Sequence, residues 1–172
     1  MIEQRKAARG AWVRAAAAVS LAVSLASCGV EEANKEMSNM TLEEAKTKLL
    51  TLQHQIIEMV PEELVVSVFE NDSSGLLNCR GDKKKWTGTG QVELQPGLDR
   101  DKFLDQVRDR TKDIQGWTVK DDSDSDGART VDILHDDGTH LIVGIWDGPE
   151  SLQIDSFSAC FDFPEYEYGE KY

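Results

Sequence analysis

Between Trp117 and Phe161 the chain offers successive runs of β-branched and aromatic residues, each separated from the next by a few turn-forming residues. The runs cover residues 117–120, 129–135, 140–146 and 151–161. The breaks are the acidic stretch ending in Asp126-Gly127, then Asp137-Gly138, then Gly148-Pro149. Connections this short join antiparallel neighbours, because a parallel pair needs a crossover of a dozen residues or more. This half of the chain is therefore committed to a largely antiparallel sheet, and the rest must fit around it.

The first half supplies strands and cover. Residues 64–70 are β-branched and aromatic, Asn71-Asp72-Ser73-Ser74-Gly75 is a turn, and residues 76–80 form a short strand carrying Cys79. After a turn at residues 81–85, residues 86–95 alternate, with Trp86, Val92 and Leu94 on one face. Gly88 and Gly90 share that face and leave room for something large above them, most simply a helix. Two helices are predicted. One starts at the capping box Thr41-Leu42-Glu43-Glu44 and carries an apolar stripe of Leu42, Ala45, Leu49, Leu52, Ile56 and Met59, ending before Pro61. The other is capped by Asp99 and runs to about residue 115, with Phe103, Leu104, Val107 and Ile114 inward and Gly116 as terminator. The expected fold is an α+β two-layer sandwich, with two helices on one face of a mainly antiparallel β-sheet.

The ends divide the chain further. Residues 1–27 pair a basic head (Arg5, Lys6, Arg9, Arg14) with an apolar run over residues 15–26, the layout of an export signal. Residues 28–40 read as a polar tether, 41–162 as the α+β domain, and 163–172 as an irregular tail mixing acids and aromatics. Leu25-Ala26-Ser27-Cys28 resembles the lipobox of bacterial lipoproteins. That resemblance implies a covalent diacylglycerol on Cys28, which becomes the first residue of the mature chain on the outer face of the cell membrane. An ordinary signal peptide with an incidental Cys28 is the alternative.

The formal net charge is −13, and loss of a basic leader makes the remainder more acidic still. Such a surface repels phosphates, so nucleic acid is excluded as a partner; basic proteins or cations suit it better. Lys83-Lys84-Lys85 is the one basic cluster and reads as a solvated hairpin tip. With Cys28 assigned to lipid, Cys79 and Cys160 remain as an even pair in an oxidising setting. They are predicted to form a disulfide, contributing about 4 kcal/mol in the loop-entropy picture, with two buried thiols as the alternative.

The lipobox, the stretch LLNCRGDKKKWTGTGQVELQPG (residues 76–97) and the late SACF (residues 158–161) together resemble the small LppA-type lipoproteins of mycobacteria and related actinobacteria. The resemblance implies an envelope lipoprotein with one disulfide, and brings no activity with it.

Chemistry is sparse. Asp122, Asp124 and Asp126, followed by Gly127, match the opening positions of a calcium loop. The position that needs a bidentate glutamate is Ile133, and no helix of the right kind flanks the loop. The plainer reading is a two-residue Asp126-Gly127 hairpin turn, which sets Asp124 opposite Arg129. A matching turn at Asp137-Gly138 makes His135 and His140 direct cross-strand neighbours, two ligands of a possible zinc or copper site beside Asp136 or Asp137. The same register puts Leu134 opposite Leu141 on the apolar face, with Val119, Val143 and Ile145. No serine has the setting of a nucleophile, and no glycine loop is built to cradle phosphate. Trp86, Trp117, Trp146 and Phe157 read as core, or as the lining of a cavity between sheet and helices. The expectation is a monomeric, non-enzymatic binding or accessory module for an envelope partner, without a cofactor beyond its lipid. A small-ligand or lipid carrier is the first alternative and a calcium-linked module the second.

Overall fold

The structure, a computed structural model, describes residues 40–146, 150–163 and 167–172. The leader, Cys28, nearly all of the tether and the Gly148-Pro149 turn lie outside the described residues.

Helix α1 spans Leu42–Ile57 and opens with the expected capping box. The Thr41 hydroxyl accepts from the Glu44 N–H at 3.2 Å, and the Glu44 carboxylate accepts from the Thr41 N–H at 2.9 Å. A short 3-10 turn, Glu62–Leu64, leads into strands β1 (Val65–Glu70), β2 (Leu76–Asn78) and β3 (Lys83–Leu94). Helix α2 (Arg100–Thr111) is capped by the Asp99 carboxylate, which accepts from the Lys102 N–H at 3.1 Å. Strands β4 (Trp117–Ser123), β5 (Arg129–His135), β6 (His140–Trp146), β7 (Ser151–Phe157) and β8 (Phe161–Asp162) follow.

The strands form one antiparallel sheet in the order β1-β3-β7-β6-β5-β4, and the fold is α+β. The long β3 is its spine. One end of β3 lies between β1 and β7, and the other pairs with β2 and β8. From β3 the chain crosses the sheet through α2 to the far edge, then returns strand by strand until β7 meets β3. Helix α1 lies over β3 and β7, and α2 over β5, β4 and β6. The core between helices and sheet holds Leu49, Leu104, Val107, Val92, Val131, Ile133, Leu152 and Ile154, all fully or almost fully buried. Each such side chain contributes about 1.5–3 kcal/mol through burial. The other sheet face has no covering layer among the described residues, as an antiparallel sheet permits.

Strand β5 differs from expectation by a single residue on both of its sides. Ser123, not Asp124, is opposite Arg129, and Leu134, not His135, is opposite His140. Both hairpins use three-residue loops. Gly127 N–H donates to the Asp124 carbonyl while Asp124 N–H donates to Ala128; likewise Gly138 N–H donates to His135 and His135 N–H to Thr139. In each loop the glycine is third and adopts a positive φ (84° and 92°). This is a tight turn closed by a glycine bulge, rather than the two-residue turn an Asp-Gly pair suggests. A one-residue shift turns a strand over. Val131 and Ile133 therefore face the core, and Leu134 is 45% exposed. The expected register would have faced Asp132 toward the core, and burying an unpaired carboxylate costs several kcal/mol.

The run expected as one strand over residues 151–161 is also broken. The Trp86 N–H donates to the Ser158 hydroxyl at 2.9 Å, and the Ser158 N–H returns a bond to the Trp86 carbonyl. Pairing shifts by one residue across this bulge, from Thr87↔Phe157 to Lys84↔Phe161. Phe157 consequently lies on the uncovered face and Phe161 is fully buried in the core. Lys83, Lys84 and Lys85 lie within β3 rather than at a hairpin tip.

Candidate functional site

Helices α1 and α2 each pack on the sheet more than on each other, and a cleft of about 390 Å³ remains between their C-terminal turns. Leu52, Ile56 and Met59 line it from the α1 side, and Arg110, Thr111 and Ile114 from the end of α2. Trp117, Ile133 and Leu141 of the sheet form its floor, while Gln55 and Glu58 complete the rim. Local sequence explains its shape. Helix α2 stops at Thr111, whose hydroxyl turns back to the Val107 carbonyl at 2.8 Å. Ile114 then stands beyond the helix, 49% exposed over the cleft. Gly116, at φ 84°, turns the chain so that Trp117 opens β4. A Cβ at position 116 would also meet His135 Nε2 at 2.8 Å, so the turn is packed as well as bent.

One flank of the cleft is organised by a polar chain that starts in the core. Gln53 is fully buried and lies over Gly88 and Gly90, filling the space their missing side chains leave. Its Oε1 accepts from the Ser156 hydroxyl at 3.0 Å, and its Nε2 donates to Glu70 at 3.1 Å. The other Glu70 oxygen lies 3.1 Å from His54 Nδ1, and His54 Nε2 lies 3.5 Å from Glu58 on the cleft rim. The hydrogen bond to Glu70 and its negative charge raise the His54 pKa above its usual value.

The sequence-predicted site residues are distributed differently from expectation. His135 and His140 are on opposite faces of the sheet, as their register with Trp117 and Leu134 requires, so they cannot share a metal ion. His135 faces the helices, packs at a tilt against Trp117 with ring centroids 4.6 Å apart, and lies 2.9 Å from Asp137 Oδ1. Asp137 also pairs with Lys48 of α1. Burial alone would raise the Asp137 pKa, but hydrogen bonds from Lys48, Thr139 and His135 outweigh it and hold the carboxyl at about 2. His140, on the uncovered face, stacks on Phe157 at 5.9 Å and lies 3.5 Å from Asp132.

In the acidic loop, Asp124 Oδ1 accepts from the backbone N–H groups of Asp126 and Ala128 at 2.9 and 2.8 Å, so it serves the turn itself. Asp122 bonds Lys120 at 3.3 Å and the Ser123 N–H at 2.9 Å. Among the described residues no group of three or more His, Cys, Asp or Glu is arranged to hold a metal. Arg129 does not pair with Asp124; it gathers Asp101, Asp105 and Asp121 instead. Cys79 and Cys160 form the expected disulfide, with Cα atoms 6.3 Å apart. Trp86 is core and donates its indole N–H to the Tyr172 carbonyl at 2.8 Å, which docks the end of the tail. Of the four aromatics considered as lining, only Trp117 reaches the cleft.

Gln55, Arg110 and Thr111 carry no recognisable signal in the sequence. Gln53, by contrast, is traceable, since it continues the i, i+4 spacing of Ala45 and Leu49 on the buried helix face.

No family model matches the chain, and no curated protein matches it. Among solved structures it is similar to the crystal structure, at 2.65 Å resolution, of a DUF4853 family protein from Actinomyces odontolyticus ATCC 17982. The identity is 16% and the TM-score 0.40, over 68% of this chain and 70% of that one.

Proposed function

We propose that the chain is an exported, lipid-anchored binding protein of a bacterial envelope, without catalytic activity, whose α+β domain takes a small apolar molecule between its helices and sheet. The cleft is the observation that carries the reading. Its volume of about 390 Å³ falls within the range of small-molecule sites, and its walls are mostly aliphatic with one tryptophan. The basic-then-apolar leader, the lipobox resemblance at Cys28 and the likeness to LppA-type lipoproteins support export and anchoring. The Cys79–Cys160 disulfide agrees with an oxidising compartment.

The test uses the full chain carrying Cys28→Ser, so that no acyl group of its own competes, titrated with the neutral fluorophore N-phenyl-1-naphthylamine. Saturable fluorescence gain is expected, weakened by Ile114→Asp, which places a charge at a half-exposed position of the wall. Absence of saturable uptake sinks the carrier reading.

A second observation favours a protein partner. Among the described residues β1 ends the sheet, and its Val66, Val68 and Phe69 are each about half exposed. An open apolar edge suits strand addition by a partner. A photocrosslinker at Phe69 should trap a discrete envelope protein in cells; a failure to trap any would remove this reading.

A further inference from the structure

The rim of the cleft is electrically lopsided. Arg100, Arg108 and Arg129 each hold at least one carboxylate in this acidic chain. Arg110, at the α2 side of the mouth, makes neither an ion pair nor a hydrogen bond among the described residues. The carboxylate across from it, Glu58, is engaged by His54 at 3.5 Å. Below Arg110 the lining turns apolar at once, with Ile114 and Trp117. A guanidinium left open at the mouth of an apolar cleft suits a molecule that is anionic at one end and aliphatic at the other. Arginine matches carboxylate and phosphate equally well, through paired N–H donors.

On the reading of the cleft given above, we infer that its ligand class is a single-chain amphiphile with an anionic head. The alkyl chain lies between Ile56, Met59, Trp117 and Leu141, and the head sits on Arg110. Glu58 turns the head toward the α2 rim, because an anion seated on the α1 side would meet a like charge. A neutral or cationic head gains nothing from Arg110.

The experiment measures displacement of N-phenyl-1-naphthylamine from the full chain carrying Cys28→Ser. The competitors are dodecanoate, dodecyl phosphate, dodecanol and dodecyltrimethylammonium, each below its micellar concentration. One charge-assisted contact predicts anions binding about tenfold more tightly than dodecanol. Arg110→Gln should bring the ratio of anion to alcohol affinity close to one, and Arg110→Lys should restore part of it. An advantage confined to one anion supports the inference and names the headgroup. Equal affinity for anions and dodecanol, a cation preference, or an anion advantage that survives Arg110→Gln overturns it while leaving the cleft reading intact. If no competitor and no fluorophore binds, the cleft reading itself fails and this inference fails with it.

Discussion

Gln53 of α1 lies so close over Gly90 of β3 that a Cβ at position 90 would sit 2.9 Å from its amide carbon. The contact joins helix to sheet at the centre of the molecule, where Gln53 is fully buried and bonded to both Ser156 and Glu70. Gly90→Ala pushes a methyl group into the middle of that side chain rather than its mobile end. The expected loss is about 1–3 kcal/mol in urea unfolding. A second substitution, Gln53→Ala, should cost less in the Gly90→Ala background than alone. Additive losses would show that the two positions do not press on each other.

Asp137 should shape the acid limb of stability. Its carboxyl is held at about 2 in the folded protein against about 3.9 when unfolded. A depressed carboxylate pKa contributes stability above the unfolded value, and that contribution fades as pH falls through the folded one. The amount is on the order of 2 kcal/mol, lost between about pH 4 and pH 2. Asp137→Asn should lower stability at neutral pH and flatten that part of the profile. An unchanged slope would place the acid sensitivity elsewhere.

His54 should titrate with the opposite sign. Glu70 raises its pKa, so the protonated ring favours the fold below the unfolded value near 6.5, and the benefit fades as pH rises through the raised value. Proton NMR of the His54 ring should show a midpoint above that of a free imidazole, falling when Glu70 is changed to Gln. A midpoint that ignores the substitution would remove Glu70 as the cause.

The disulfide closes a loop with a sequence separation of 81 residues. Its reduction, or Cys160→Ser, should cost about 2–5 kcal/mol, visible as a lower midpoint with dithiothreitol than without. Equal midpoints would mean that the sheet holds β2 and β8 together unaided.

For the acidic loop, Asp124→Ala removes the acceptor of two backbone N–H groups and should destabilise the hairpin by about 1 kcal/mol. Asp126→Ala should leave the thermal midpoint close to that of the unsubstituted chain. Millimolar calcium and micromolar zinc should shift neither protein's midpoint. A rise with calcium that disappears on Asp124→Ala would show the loop to be a metal site after all.

Much of this architecture was legible residue by residue. The Thr41–Glu44 capping box, the Asp99 cap and the glycine pair under a helix each follow from local bonding or from the space a missing side chain leaves. The Cys79–Cys160 pair followed from counting. The candidate site was less legible. Trp117 and Met59 could be assigned to buried faces, but Gln55, Arg110 and Thr111 matter only because of what stands opposite them. Register in the hairpins lay between the two cases. Asp126-Gly127 and Asp137-Gly138 do mark turns, yet one loop residue decides which face of β5 is buried. Asp132 carries the distinguishing signal, since two-residue turns would point its carboxylate into the core.

By itself, then, the sequence determined the kinds of elements, their antiparallel pairing and the layer that covers them, because capping, alternation and turn formation act over a few neighbouring residues. Tertiary structure alone decided the facing of β5, the separation of the two histidines and the cleft. These depend on distances between segments far apart in the chain, where a shift of one residue or a helix ending one turn early changes which side chains can meet.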